Sequence, residues 1–299
     1  MKLIMAYVVV AIHTTDWSLM GLTETAVPYF FIASGFFLFR KLGGSREEDL
    51  AVIRQWTLKI LKLYLIWTAI YLPFTVVGYY QEGLPITKAL LGFVRNVVFV
   101  GSNYFSWSLW YLLGMVWAGI CIYIMRMMNF TLWAMIILAF GLYLSEFFFD
   151  FHSIPYYSKV FATTRNGFFV GLPFITAGGL AYYLYNSIQP KKAIIWDSLL
   201  TILSFIGFQY HPLFLPPLAL GIFFLSLRVA LPHLQEGIAI RLGSMSKTIF
   251  LVHMVFVGIY TLLSFPDIEW SAFLFAAILS TLLSWGLGFV KGKDLSWIR

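Results

Sequence analysis

Read as hydrophobic and polar positions, the chain is a succession of long apolar runs broken by short polar ones. Ten runs are long enough to cross a hydrocarbon core of about 30 Å. They cover residues 3–20, 26–40, 58–79, 106–125, 131–149, 167–186, 193–210, 213–231, 247–265 and 271–290. Runs that are apolar on every face read as membrane helices rather than amphipathic surface helices. The expected fold class is therefore all-α: a polytopic bundle of about ten transmembrane helices, forming one domain over residues 1–299. The pair Pro216-Pro217 predicts an irregular eighth span, because proline removes a helical donor and clashes with the preceding turn. Residues 42–57, 80–105 and 150–166 read as the larger loops, and no soluble domain, repeat array or low-complexity linker is visible.

Composition agrees with that pattern. The chain is 61% hydrophobic and 11% charged, against roughly 45–50% and 25% in soluble domains. A single cysteine, Cys121, excludes an intramolecular disulfide framework. The net charge of +7 raises the question of nucleic acid, and its distribution answers it. With the N-terminus inside, 16 Lys and Arg fall on the inner side and four (Lys88, Arg95, Lys159, Arg165) on the outer. Such asymmetry is the positive-inside rule. The basic excess reports an N-in, C-in topology in the cytoplasmic membrane, and no nucleic-acid partner is expected. Residues 3–12 resemble a signal-peptide core, but His13-Thr14-Thr15-Asp16-Trp17 offers no small-x-small cleavage site.

With so little chain outside the bilayer, the chemistry is expected within the bundle. Lys2 and His13 stand eleven residues apart in the first span. At 100° and 1.5 Å per residue they share a face, with His13 roughly 16 Å deeper. An ionisable group inside a span is costly and marks function. Asp16 follows His13 at i+3, a spacing that lets the carboxylate contact the imidazole and orient it as a general base. Arg54, Lys59 and Lys62 form a basic helix start that reads either as a membrane anchor or, with Lys2, as a rim for cofactor phosphates. On the opposite side Arg165-Asn166-Gly167 offers a guanidinium fork plus an amide, suited to an anionic or sugar-like acceptor. Glu24, Glu146 and Asp150 line the same side, and His253 lies inside the ninth span. No HExxH, cysteine pair or histidine cluster calls for a metal. Neither a P-loop nor a GxSxG elbow occurs.

Several of these segments together resemble one family, the integral-membrane acyltransferase-3 family. Lys2 through His13 has the spacing of the family's first-span Arg and His, with Lys in place of Arg. Pro28-Tyr29-Phe30-Phe31-Ile32-Ala33-Ser34-Gly35 is similar to its proline, aromatic, Ser-Gly pattern, and Leu109-Trp110-Tyr111-Leu112 to its Trp-Tyr-Leu signature. Arg165-Asn166-Gly167 and Ser246-Lys247-Thr248-Ile249-Phe250-Leu251-Val252-His253 match in character. The branch it looks most like includes polysaccharide-modifying proteins and the membrane portion of vancomycin-resistance serine racemases. The resemblance implies transfer of an acyl group, usually acetyl, from cytosolic acyl-CoA (acetyl-CoA) to a hydroxyl of a cell-envelope glycan or lipid-linked saccharide.

On this reading Lys2, Arg54, Lys59 and Lys62 hold the CoA phosphates and His13, oriented by Asp16, deprotonates the acceptor. Arg165, Asn166, Glu24 and His253 contact the substrate. The rival is a transporter of a small polar solute such as serine, or of a polysaccharide intermediate, using His13, Asp16, Glu24 and His253 as a polar path. No internal repeat of the kind common in transporters is visible.

Overall fold

The computed structural model describes residues 1–16, 19–187, 190–228, 236–265 and 270–288. Among these, every regular element is helical. Twelve α-helices follow in order: α1 (Lys2–Thr14), α2 (Ala26–Phe39), α3 (Arg46–Gln81), α4 (Ile86–Arg95), α5 (Trp110–Met127), α6 (Leu132–Phe148), α7 (Pro155–Phe161), α8 (Leu172–Ser187), α9 (Pro190–Phe208), α10 (Leu215–Arg228), α11 (Glu236–Leu262) and α12 (Ser271–Leu287). Five stretches are long and apolar enough to cross a membrane, and shorter apolar helices occupy the other five expected spans. The protein is an all-α helical bundle. The end of the tenth span, His233, and the terminal cations Lys291, Lys293 and Arg299 lie outside the described residues.

Four features differ from the sequence pattern. The first span is not continuous: α1 stops at Thr14, Thr15 turns extended (φ −141°, ψ 158°), and a 3₁₀ segment over Leu19–Thr25 leads into α2. At 1.5 Å per residue α1 is only about 20 Å long, so His13 sits at a break, where irregular backbone borders protein rather than lipid. Residues 46–57 are no loop but the first turns of α3, started by a capping box in which Ser45 and Glu48 satisfy each other's backbone amides. The stretch 80–105 carries α4 and a π-turn over Asn96–Val100, and 150–166 carries α7. Finally, Pro216 and Pro217 do not bend a span. They fall in the first turn of α10, where the missing donors cost nothing.

Small residues set the packing around α2. A Cβ on Gly35 would run into the Ile175 carbonyl, and one on Gly178 into the Ile32 carbonyl, so α2 and α8 approach backbone to backbone. α1 is tied to its neighbours by polar contacts: Ser246 Oγ donates to the Lys2 carbonyl at 2.9 Å, and the Tyr7 and Thr281 hydroxyls lie 2.6 Å apart. Tyr71 donates to the Leu251 carbonyl at 2.8 Å, joining α3 to α11. Two ion pairs clamp helix ends. Arg126 meets buried Asp49 at 2.9 Å, and Arg228 meets Asp197 with both side chains buried. These four charges are structural, since each is paired where lone burial would be costly.

Candidate functional site

Two cavities open toward opposite ends of the bundle, and a stack of rings lies between them. The first, about 330 Å³, is walled by α1, α2, α3, α5 and α11. Lys2 and Lys247 line it, with Phe30, Tyr111 and Phe250 among its apolar walls. Lys2 Nζ rests 4.8 Å above the Phe37 ring. Inside, the hydroxyls of Ser34 and Tyr111 lie 3.2 Å apart. The Ser-Gly and Trp-Tyr-Leu segments, 77 residues apart in sequence, thus meet on one wall.

From this cavity the rings run on without a gap. Phe250 meets His253 edge-on at 6.2 Å, His253 stacks on His13 at 5.5 Å, and His13 faces Trp107 at 6.4 Å. His253 is fully buried. Its Nδ1 lies 3.1 Å from the Ile249 carbonyl; since a carbonyl oxygen only accepts, Nδ1 carries the hydrogen of that bond. Nε2 is buried and meets no hydrogen-bond partner among the described residues. Buried polar atoms without partners are rare and call for a functional explanation. Trp107 then lines the second cavity, about 430 Å³, beyond the far ends of α1 and α3.

The residues singled out by sequence separate into groups. Lys2 lines the first cavity, while His13 is reached from it through Phe250 and His253; the two share a helix face but not a cavity wall. Asp16 is exposed, and no hydrogen bond or ion pair joins it to His13. The i+3 contact needs a helix that continues to residue 16, and α1 ends two residues earlier. The charged group that acts on His13 is instead Arg165. Arg165 and Glu24, both exposed, form a long ion pair of 3.7 Å at that end.

Asn166 is buried and fully engaged. Its Oδ1 accepts from the Phe168 and Phe169 amides at 2.9 and 3.3 Å, and its Nδ2 donates to Tyr157 Oη and the Thr163 carbonyl at 2.8 and 3.1 Å. It caps the π-turn over Gly167–Gly171 and has no donor to spare for a substrate. Arg54, Lys59 and Lys62 project, exposed, from α3. Lys59 lies close enough to act electrostatically on Lys247. Glu146 holds the Thr164 hydroxyl, and the Asp150 carboxylate caps the turn at His152 and Ser153.

Sequence reading assigned no site role to Lys247 or Trp107. The signal for Lys247 was present, a lysine within an apolar run six residues before His253. Trp107 had none, because its ring reaches His13 only through the fold. Among the described residues no group of His, Cys, Asp and Glu could hold a metal ion.

A helical membrane bundle with a cationic cavity leading to paired imidazoles defines a class, and comparison with known proteins agrees. The chain belongs to the acyltransferase-3 family: the family model, described as an acyltransferase domain, matches residues 1–289. Over 217 residues it is 29% identical to an amino-acid racemase of Enterococcus faecalis, covering 64% of this chain and 29% of that relative's length. No solved structure matches the chain.

Proposed function

We propose that the protein is a multi-pass O-acyltransferase of the cytoplasmic membrane, moving an acyl group, acetyl in the simplest case, from cytosolic acyl-CoA to a hydroxyl of an extracytoplasmic glycan or other cell-envelope acceptor. The observation that carries this reading is the ring stack joining two cavities at opposite ends of the bundle. A donor and an acceptor that approach from opposite sides of a membrane must meet inside it, and here the imidazoles of His13 and His253 lie between the two cavities.

The donor side follows from charge and shape. Lys2 and Lys247 at the first cavity, with Lys59 and Lys62 outside it, supply converging cations for the CoA phosphates. The apolar interior suits a pantetheine arm and acyl group rather than the nucleotide. Lys2 is a point charge without a guanidinium fork, so several lysines acting together replace one bidentate contact.

His13 acts as general base. It takes the proton of the acceptor hydroxyl, whose oxygen forms an ester bond to the acyl carbon. The carbon–sulfur bond breaks, and the departing CoA sulfur takes up the proton from His13. His253, fixed by Ile249, holds the His13 ring by stacking. Arg165, with Glu24 beside it, places positive charge near His13 on the acceptor side.

The test is binding and transfer by purified protein given radiolabelled acetyl-CoA, with His13→Ala and Lys2→Ala in parallel. Wild type binds CoA and transfers acetate, His13→Ala binds without transferring, and Lys2→Ala binds weakly. Failure of wild type to bind CoA sinks the reading. Uptake of serine into proteoliposomes without CoA would favour transport instead.

A further inference from the structure

The second cavity is not an incidental opening, because its walls are built and held before any ligand arrives. It lies between the end of α3, α4, the π-turn and the segment leading to Trp107. Buried Asn103 is its keystone: Oδ1 accepts from Tyr79 Oη at 3.2 Å and from Asn96 Nδ2 at 3.1 Å, and its backbone N–H donates to Ser106 Oγ at 2.8 Å. Asn96 in turn fixes the Arg95 guanidinium, whose Nε and Nη2 donate to Asn96 Oδ1 at 3.0 and 2.7 Å. Tyr104 packs edge-on against Tyr79 at 5.1 Å, with Glu82 on the same wall. Lys88 completes the rim.

The chemistry of that wall selects a ligand. Tyr104 and Trp107 offer aromatic surface for an apolar ring face, and the Asn103 Nδ2 group, the second Asn96 Nδ2 hydrogen and the Tyr79 oxygen as acceptor remain for hydroxyl partners in fixed directions. Of the three charged groups on the wall, the cations Lys88 and Arg95 outnumber Glu82, a balance that favours an anion.

The neighbouring helix shows the route of entry. On α4, Ile86, Leu90, Leu91 and Val94 are all exposed. At 100° per residue they fall within an arc of about 140°, with Lys88 and Arg95 just beyond its edge at Leu91. An exposed apolar stripe edged by cations is the pattern of a helix lying in a membrane interface, where long basic side chains snorkel. The cavity therefore opens beside the lipid surface, not only into bulk water.

We infer that this cavity is the acceptor site, and that the acceptor is the anionic, hydroxyl-bearing headgroup of a membrane-anchored amphiphile, entering along α4 and directed past Trp107 to His13. The inference rests on the acyl-transfer reading and locates its acceptor in the cavity above Trp107 rather than at Asn166.

The experiment uses full-length protein in nanodiscs, with phosphatidylinositol as the lipid-borne probe, free inositol 1-phosphate as the soluble one, and phosphatidylcholine as the neutral control. Bound lipid is read by native mass spectrometry and soluble-probe binding by saturation-transfer NMR. Phosphatidylinositol should be retained over phosphatidylcholine. Lys88→Glu, an exposed change that leaves the fold intact, should weaken that retention about tenfold (about 1.4 kcal/mol), and Trp107→Ala should weaken it too. CoA binding is measured on the same samples. Retention unchanged in Lys88→Glu and Trp107→Ala, with CoA binding intact, overturns this inference and spares the acyltransferase reading. Loss of CoA binding in wild type strikes that reading itself. Equal affinity for the free and lipid-borne headgroup overturns the membrane anchor.

Discussion

His13 and His253 lie face to face across the α1–α11 interface, ring centroids 5.5 Å apart and planes 26° from parallel. One ring ends a short helix beside a break, and the other is sealed in the middle of a long one. The ring at the helix end is thus backed by a fixed one, which suits a base that must keep a single orientation.

Removing the base while keeping its bulk isolates its chemistry. His13→Gln should lower the transfer rate by roughly 10²–10⁴, the usual contribution of a positioned general base, with CoA affinity unchanged. A rate within a few-fold of wild type, measured with labelled acetyl-CoA, would falsify the assignment.

The role given to His253 has its own signature. His253→Phe keeps a flat ring against His13 and should retain more activity than His253→Ala, with the difference in kcat rather than KM. If both variants lose equal activity, ring stacking is not what His253 supplies.

At the donor side, Lys247→Ala and Lys2→Ala should each weaken CoA binding, and the loss should shrink as salt rises, since partly exposed ion pairs are screened. Lys2→Arg should tighten it by restoring a bidentate phosphate contact. Isothermal titration at two salt concentrations checks both; affinity indifferent to either lysine would move the donor site elsewhere.

Asn166→Ala tests whether that residue serves the fold. Losing a side-chain cap costs about 0.5–2 kcal/mol, so the melting temperature should fall with no acceptor present. A variant with unaltered stability but impaired acceptor affinity would return Asn166 to substrate binding.

The α2–α8 contact gives a packing test. Gly35→Ala forces a methyl against the Ile175 carbonyl, and overpacking of this kind costs about 1–3 kcal/mol. Gly286→Ala, where a Cβ meets nothing within 4 Å, is the matched control and should be neutral or slightly stabilising, helix propensity favouring alanine by about 1 kcal/mol. Equal melting temperatures for the two would refute close backbone packing at Gly35.

Much of the bundle was legible because its signal is local. An apolar run of membrane length reads the same whatever its neighbours, so all ten expected spans correspond to helices. Boundaries were less legible. Hydropathy at Thr14 and Thr15 does not announce that α1 ends there, and the capping box at Ser45 starts α3 well before its apolar run. That early end of α1 separates Asp16 from His13.

The sequence by itself determined the membrane bundle, the placing of Lys2 and His13 on one helical face and the family to which the chain belongs. The first two depend on composition and on the fixed 100° step of the helix, and the third on the order of motifs along the chain. Only the tertiary structure decided which residues surround His13. His253 is 240 residues away in sequence and Trp107 is 94, and no periodicity links side chains on different helices. Their meeting depends on close approaches such as Gly35 against Ile175 and ties such as Ser246 to the Lys2 backbone. These fix how helices cross, and crossing decides which rings touch.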